Sequence, residues 1–383
     1  MNAATTRISR TDIARLAEDS GLVLTGVTHA APFSDVREHL VDHVVRGHVR
    51  GMDWFTIKRA AESCDPRTLH ESVRSIISVG VPFWSGSVTC PDDGVLRGRI
   101  ARYAWGRDYH KILKSRMKRL VSAIQHELGC QIETRELVDT ARIVDRAVAA
   151  RAGLGWYGKN TMIIVPGHGS WVMLGEILLD IDLQPDLPLA KNCGRCTRCI
   201  DRCPTGAIIE PYRIDAPRCI SYLTIEERGP IPHPLRPLMG NHVFGCDDCQ
   251  DVCPYTGAAR VVDDPEFAPR SIENAFPSLE RLVMMTDAEF RESYEGTPVM
   301  RAKRRGMARN AAIALGNSAD PRAEQPLIWA IHHHDEPLVR GHAAVALRHL
   351  VGESAREELN RARRTEQGET VLKEIDFTLS SLP

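Results

Sequence analysis

The chain has 383 residues, 26% of them charged, with a formal net charge of −1. That length allows two or three domains, the composition is that of an ordinary soluble globular protein, and the near-zero charge neither indicates nor excludes a nucleic-acid partner. The polar start, MNAATTRISRTD, lacks the apolar core of a secretory signal, and no stretch approaches the roughly 18 apolar residues of a membrane span, so a reduced, cytoplasmic protein without a membrane partner is expected.

In chain order, residues 10–20 read as a short amphipathic helix, GLVLTGVT (21–28) as a buried strand and 34–47 as a polar helix. SIISVGVPF (75–83) is a second buried strand, following the turn-like Cys64-Asp65-Pro66. RIARYAWGRDYHK (99–111) runs from a strand into a helix over 108–129. Leu113, Met117, Leu120, Val121, Ile124 and Leu128 share one face of it, and Lys111, Lys114, Lys118 and Arg119 lie on a face read as solvated. A strand (130–139), a helix broken by Gly153 and Gly155 (142–160), and two strands (161–166 and 170–181) follow. The alternation predicts one α/β domain over residues 1–185.

Residues 193–254 hold eight of the eleven cysteines. Cys193, Cys196, Cys199 and Cys203-Pro204 have the spacing C-x2-C-x2-C-x3-C-P, the bacterial ferredoxin signature for a cubane iron–sulfur cluster. In that pattern three thiolates come from one tight loop and the fourth ligates the other cluster. Cys193, Cys196 and Cys199 are therefore expected to take one [4Fe–4S] cluster with Cys253. Cys203 would join Cys219, Cys246 and Cys249 on the second. Zinc would explain paired CxxC units but not two Cys-Pro endings, and nothing suggests the oxidising compartment that disulfides need. Cys64, Cys90 and Cys130 stand alone and are expected as small buried hydrophobes, not ligands. This gives a double-cubane ferredoxin-like domain over 186–258 and a connector over 259–300.

Beyond residue 300 the chain turns alanine-rich. MARNAAIALGN (307–317) and LVRGHAAVALRHL (338–350) share AAxAL, which suggests a HEAT-like helical repeat domain over 301–383. Arg301, Lys303, Arg304, Arg305 and Arg309 form the densest basic run and are the candidate phosphate contacts. His332, His333 and His334 read as a solvated turn.

The motifs GMDW (51–54), RYAWGRDYHK (102–111), VDTARIVDRAVAARAGLGWYGKN (138–160), RCISYLTIE (218–226) and RPLMGNHVFGCDDCQDVCP (236–254) closely resemble the epoxyqueuosine reductases. The resemblance runs from about residue 10 to about residue 317. It implies an N-terminal cobalamin-binding α/β domain, two [4Fe–4S] clusters and a C-terminal HEAT-like domain. It also implies an oxidoreductase that reduces the epoxide of epoxyqueuosine, at the wobble position of tRNA with a queuosine-type anticodon, to queuosine. An unidentified low-potential electron donor is a further implied partner. Asp139, in the VD[ST] motif, falls at the position assigned to the proton donor. Arg102, Asp139, Lys159, Asn160 and Ser221 fall at positions implied to line the corrinoid site. The chain has Arg142-Ile-Val-Asp145-Arg146 where the family commonly reads P-x-x-E-R. No D-x-H-x-x-G motif offers a histidine to cobalt.

A carboxyl at Asp139 acts as a general acid only if burial raises its pKa toward neutral; otherwise an aspartate before threonine commonly caps a strand end. Two other readings compete. A corrinoid reductive dehalogenase-like enzyme shares the cofactor plan but leaves the C-terminal helices unexplained. A ferredoxin-type electron carrier has no use for some 185 residues of α/β domain.

Overall fold

The computed structural model describes residues 8–382; most of the polar start, through Arg7, lies outside the described residues. Ser9 opens the first helix, α1 (Arg10–Asp19), through a reciprocal capping box with Asp12. Strand β1 (Leu24–His29), helices α2 (Ser34–Val45) and α3 (Ile57–Ser63), β2 (Ser75–Pro82) and the short β3 (Arg99–Ile100) follow. Next come α4 (Tyr109–Leu128), β4 (Thr134–Leu137), α5 (Asp145–Arg151), β5 (Trp156–Tyr157), β6 (Ile163–Ile164) and β7 (Val172–Leu179).

Four of these strands form one sheet in the order β1-β2-β7-β4, with every neighbouring pair antiparallel. All eight residues of β2 are buried, because helices cover both faces, and a strand covered twice reads as a continuous apolar run. Ile13, Leu113, Met117 and Leu120 of α1 and α4 pack on Ile77, Val79 and Ile177. Ala147 and Val148 of α5 pack on Ile76 and Leu178. Two expected elements are shorter than predicted. The helix expected over 142–160 is confined to α5, where Gly153, at φ +74°, lies just beyond its end. The strand at 161–166 pairs through β6 with β5, so only β7 joins the main sheet.

The cysteine-bearing segment is built of short pieces: α6 (Arg198–Arg202), β8 (Ile208–Glu210), β9 (Arg213–Ile214), α7 (Ile220–Ile225), β10 (His242–Phe244), α8 (Asp248–Asp251) and α9 (Pro254–Gly257). It is laced into the α/β part, because β10 pairs in parallel with β3.

The segment drawn as a connector folds into α10 (Ile272–Ala275), α11 (Leu279–Met284) and α12 (Asp287–Tyr294), which share a core with α13 (Lys303–Asn317). Ile100, Ala104 and Trp105 belong to that same core. Helices α14 (Glu324–His333), α15 (Pro337–Val351), α16 (Arg356–Thr365) and α17 (Glu369–Ser380) complete the chain. The AAxAL residues of α13 and α15 are largely buried. Small residues let the two helices close on each other: a Cβ at Gly316 would stand 2.8 Å from the Cβ of Ala346. The histidine run is no solvated turn. His334 is 3% exposed and accepts from the Glu336 amide, while His332 pairs with Glu358.

Candidate functional site

Cys193, Cys196, Cys199 and Cys253 line one cavity, together with Lys159, Asn160 and Tyr255. Cys203, Cys219, Cys246 and Cys249 form the other group. Burial pushes the thiols of Cys219, Cys246 and Cys249 up, and neighbouring thiols of the same group push further. Cys219 and Cys246 lie against the apolar cluster of Ile220, Tyr222, Leu223, Met239 and Ile313. No disulfide joins any of the eight. Two groups of four free thiols, with the Ala207 amide donating to Cys203 Sγ at 3.2 Å, fit two cubane clusters; binding them displaces the thiol protons. Cys64 is buried and its thiol is raised to about 11 by burial. Cys90 and Cys130 also stand apart, but are exposed rather than buried.

Asp139 follows β4 at φ +44°, a left-handed conformation uncommon outside glycine and concentrated at functional sites. The Tyr109 hydroxyl donates to its Oδ2 at 2.8 Å, and His110 Nε2 lies 3.4 Å from the same oxygen. The other ring nitrogen of His110 is 2.8 Å from Asp108 Oδ1, and Asp108 caps α4 by accepting from the His110 amide. The Asp139 side chain is 57% exposed, although burial is the largest single influence on its carboxyl.

Burial pushes the Asp139 carboxyl up, but the close approach of His110, the hydrogen bond from Tyr109 and the charges of His110 and Arg146 outweigh it, leaving it below its ordinary value. For His110, burial alone would lower the imidazole; the hydrogen bonds and charges of Asp108 and Asp139 lift it to about 9. The condition set for Asp139 as a lone acid is therefore not met. At neutral pH Asp139 is a carboxylate and the proton sits on His110. Sequence reading missed His110 because nothing local joins it to a residue 29 positions away.

A second acidic pair was also missed. Glu176 interrupts the apolar run of β7, opposite Ser78 of β2 and Leu137 of β4. Its carboxyl meets that of Asp145, at the start of α5. Glu176 Oε1 and Oε2, Asp145 Oδ1 and Ser78 Oγ are sealed from solvent and have no hydrogen-bond partner among the described residues. Two carboxyls can hydrogen-bond each other only if they share a proton. Burial raises Asp145 to about 7 and Glu176 well above its ordinary value.

Three residues assigned to corrinoid contact are engaged elsewhere. The Arg102 guanidinium lies 5.0 Å from the ring centres of both Trp84 and Trp171, and pairs with Asp251 at 2.7 Å and Asp247 at 3.3 Å. It is a strut between the α/β part and the second cysteine group. Lys159 Nζ donates to the Gly194 carbonyl at 2.8 Å, and Asn160 accepts from the Met162 amide, so both belong to the first cysteine cavity. Ser221 hydrogen-bonds Cys219.

The basic run is mostly a set of internal clamps. Arg309 is fully buried and donates to the carbonyls of Leu223, Glu227 and Gly229 at 2.7–2.9 Å. Arg304 pairs with Asp287 and Asp335 at 2.9 and 2.5 Å, and Arg305 donates to the Arg228 carbonyl. Arg304 and Arg309 are not a phosphate-binding surface, because their donors are spent inside the protein, whereas Arg305 is only half-buried and has one donor engaged. Arg301 pairs with Glu226 and faces Asp139 closely enough to feel its charge; Lys303 is exposed.

Residues 192–256 match the family described as 4Fe-4S double cluster binding domain, and residues 64–140 match the one described as Epoxyqueuosine reductase QueG, DUF1730. A structure of an epoxyqueuosine reductase with an epoxyqueuosine-modified tRNA-Tyr stem loop superposes with a TM-score of 0.90 at 32% identity, covering 97% of this chain and 98% of that one. A structure from Bacillus subtilis, described as having its catalytic aspartate loop swung out of the active site, superposes equally well at 31% identity, covering 98% and 99%. The epoxyqueuosine reductase of Xanthomonas campestris pv. campestris is 39% identical over 354 residues, which are 91% of this chain and 99% of that protein. The chain belongs to the epoxyqueuosine reductase family.

Proposed function

We propose that this chain reduces the epoxide of epoxyqueuosine in tRNA to the alkene of queuosine. The observation that carries the reading is the Asp108–His110–Asp139–Tyr109 array. Tyr103 ties this array to the second cysteine group, since burial first and then the charges of both Asp139 and Asp247 push its hydroxyl up. The reaction consumes two electrons and two protons and releases the oxygen as water.

When bound, the two [4Fe–4S] clusters supply electrons singly, and cobalamin, which we propose takes a place above Asp139, supplies the strongly reducing centre. Asp139 and Ser221 are the proposed residues facing it, since Arg102, Lys159 and Asn160 are held elsewhere. The chain's own contribution is the proton. His110 holds it on the imidazole, Asp139 Oδ2 receives it within the 3.4 Å ion pair, and Tyr109 fixes that oxygen by its 2.8 Å hydrogen bond. Arg301, Lys303 and Arg305 are the remaining candidates of the basic run for a tRNA phosphate.

The HEAT-like reading of α13–α17 and a cytoplasmic location belong to the same proposal. Among the described residues no helix is long and apolar enough to cross a membrane. A dehalogenase-like reductase is not favoured, because the family match runs through the C-terminal helices. Anaerobic reconstitution with iron, sulfide and cobalamin, followed by reduction with epoxyqueuosine-containing tRNA, tests the proposal. The nucleoside should emerge one oxygen lighter; an unchanged nucleoside from a fully loaded, reducible enzyme refutes it.

A further inference from the structure

Lys191, Arg195, Arg198 and Arg202 place four cations within twelve residues around the first cysteine group, against the single carboxylate of Asp201. Asp201 already accepts from the Thr197 hydroxyl at 2.9 Å. All four cations are exposed, in a chain whose formal net charge is only −1. Arg195, Arg198 and Arg202 make no ion pair with any described residue. This contrasts with the other arginine-rich run, where Arg301, Arg304, Arg305 and Arg309 are all engaged.

Two exposed aromatic side chains flank the same rim. Tyr255 is 45% exposed, follows Cys253-Pro254 and lines the first cysteine cavity. Tyr212 is 46% exposed, sits in the β8–β9 turn and feels the charge of Cys193. A shallow open groove of about 570 Å³ continues the surface past Arg198 and Arg202 to Val252 and Cys253. Exposed tyrosines and unpaired arginines around a concave patch are the composition of a protein-binding surface. The second cysteine group lies deeper, against an apolar cluster, so the first is the one a partner protein can approach.

We propose that this rim is the docking surface for an acidic one-electron carrier protein of the ferredoxin kind. The charge selects an acidic partner, and the position over the outer cubane site selects one that brings electrons. A small, charge-steered contact also suits a carrier that must leave after each delivery. In each encounter the reduced carrier is oxidised by one electron and the enzyme is reduced by one. Two encounters supply the electrons for one epoxide, and the carrier supplies no protons. The inference rests on the proposed reductase activity only for that demand of two electrons.

The test uses the reconstituted holoenzyme, an acidic [2Fe–2S] ferredoxin, and an Arg195→Glu/Arg202→Glu variant that leaves Arg198, which lines the cluster cavity, in place. Anaerobic stopped-flow bleaching of the enzyme's visible absorbance gives the rate of reduction, and titration with oxidised ferredoxin gives binding. The expected result is a second-order rate lowered at least tenfold at low salt, with weakened binding and a flattened salt dependence, while reduction by methyl viologen radical is unchanged. Wild-type rates and salt slope with ferredoxin would overturn the proposal. So would an unchanged ferredoxin rate with a raised Michaelis constant for tRNA, which would make the rim a phosphate surface. If the double variant loses iron, Tyr212→Asp, away from the cysteine loop, is subject to the same two criteria. Salt-dependent reduction by ferredoxin without any nucleoside product would refute the reductase reading and leave the docking surface standing.

Discussion

Replacing Glu176 by Gln should leave stability nearly unchanged at pH 4.5 and raise it progressively above that. In the native protein burial holds the Glu176 proton, and the Asp145 carboxyl adds to the effect. In the unfolded chain the same group ionises around its ordinary value of 4.5. A carboxyl whose folded pKa is raised contributes stability below the unfolded pKa and loses it as pH rises toward the folded one. While Glu176 keeps its proton, each pH unit above 4.5 therefore removes about 1.4 kcal/mol from wild-type stability. The Gln variant has no proton to lose, and its amide can donate to Asp145 in place of the carboxylic acid. Its advantage should reach roughly 3 kcal/mol two pH units above that value. Asp145, raised from 3.8 to about 7, titrates in the same sense but is present in both proteins. Anaerobic urea unfolding followed by far-ultraviolet circular dichroism at pH 5, 6, 7 and 8 measures the difference, from which titrations common to both proteins largely cancel. A wild-type-to-variant difference that stays constant with pH would refute the shared-proton assignment.

Asp139→Asn keeps the hydrogen bond from Tyr109 but ends proton transfer, and should lower turnover by roughly 10²–10⁴-fold with iron content unchanged. Turnover near wild type would return Asp139 to a capping role. Wild-type turnover should also fall as pH rises through about 9, where His110 loses its proton. A His110→Gln variant, with low activity and no such limb, checks the assignment. Arg309→Met leaves three buried carbonyls without their donor and should destabilise the protein by roughly 3 kcal/mol or more, with the salt dependence of tRNA binding unaltered. Unfolding curves and salt titrations separate these effects. Cys90→Ala should retain about eight iron and eight sulfide per chain, whereas Cys249→Ala should lose about half; iron loss in the first variant alone would overturn the ligand assignment.

The cluster ligands were legible because their logic is local. Spacing alone put Cys253 with Cys193, Cys196 and Cys199, and the structure gathers those four around one cavity. The proposed proton site was half legible: the VD[ST] motif led to Asp139, but His110 reaches it only through the cap of α4. The ion pairs and hydrogen bonds of Arg102, Lys159 and Asn160 were not readable, because a motif records which residue is present and not what it touches. The basic run misled for a related reason. Helix α13 is buried nearly all round, and the signal was there in the alanines and glycines on every side of Arg309, which describe an internal helix rather than a half-solvated one. Antiparallel pairing was not readable from alternating strands and helices, since such alternation fixes the layers and not the direction of each return.

The β3–β10 pairing bears on the timing of synthesis. Residues 99–100 lead directly into Arg102, Asp108 and His110, and their strand partner ends two residues before Cys246. The Arg102 backbone amide waits for Asp247 Oδ2, which accepts from it at 2.8 Å. On the ribosome, the four-stranded sheet has all its strands once residue 179 has emerged, but its proton-handling corner stays open at one side until some seventy more residues have followed. The proposed proton site is thus among the last parts of the N-terminal half to take shape, and it does so as the second cysteine group is delivered. A nascent chain therefore has little opportunity to present a finished site before the ligands of its electron source have been made.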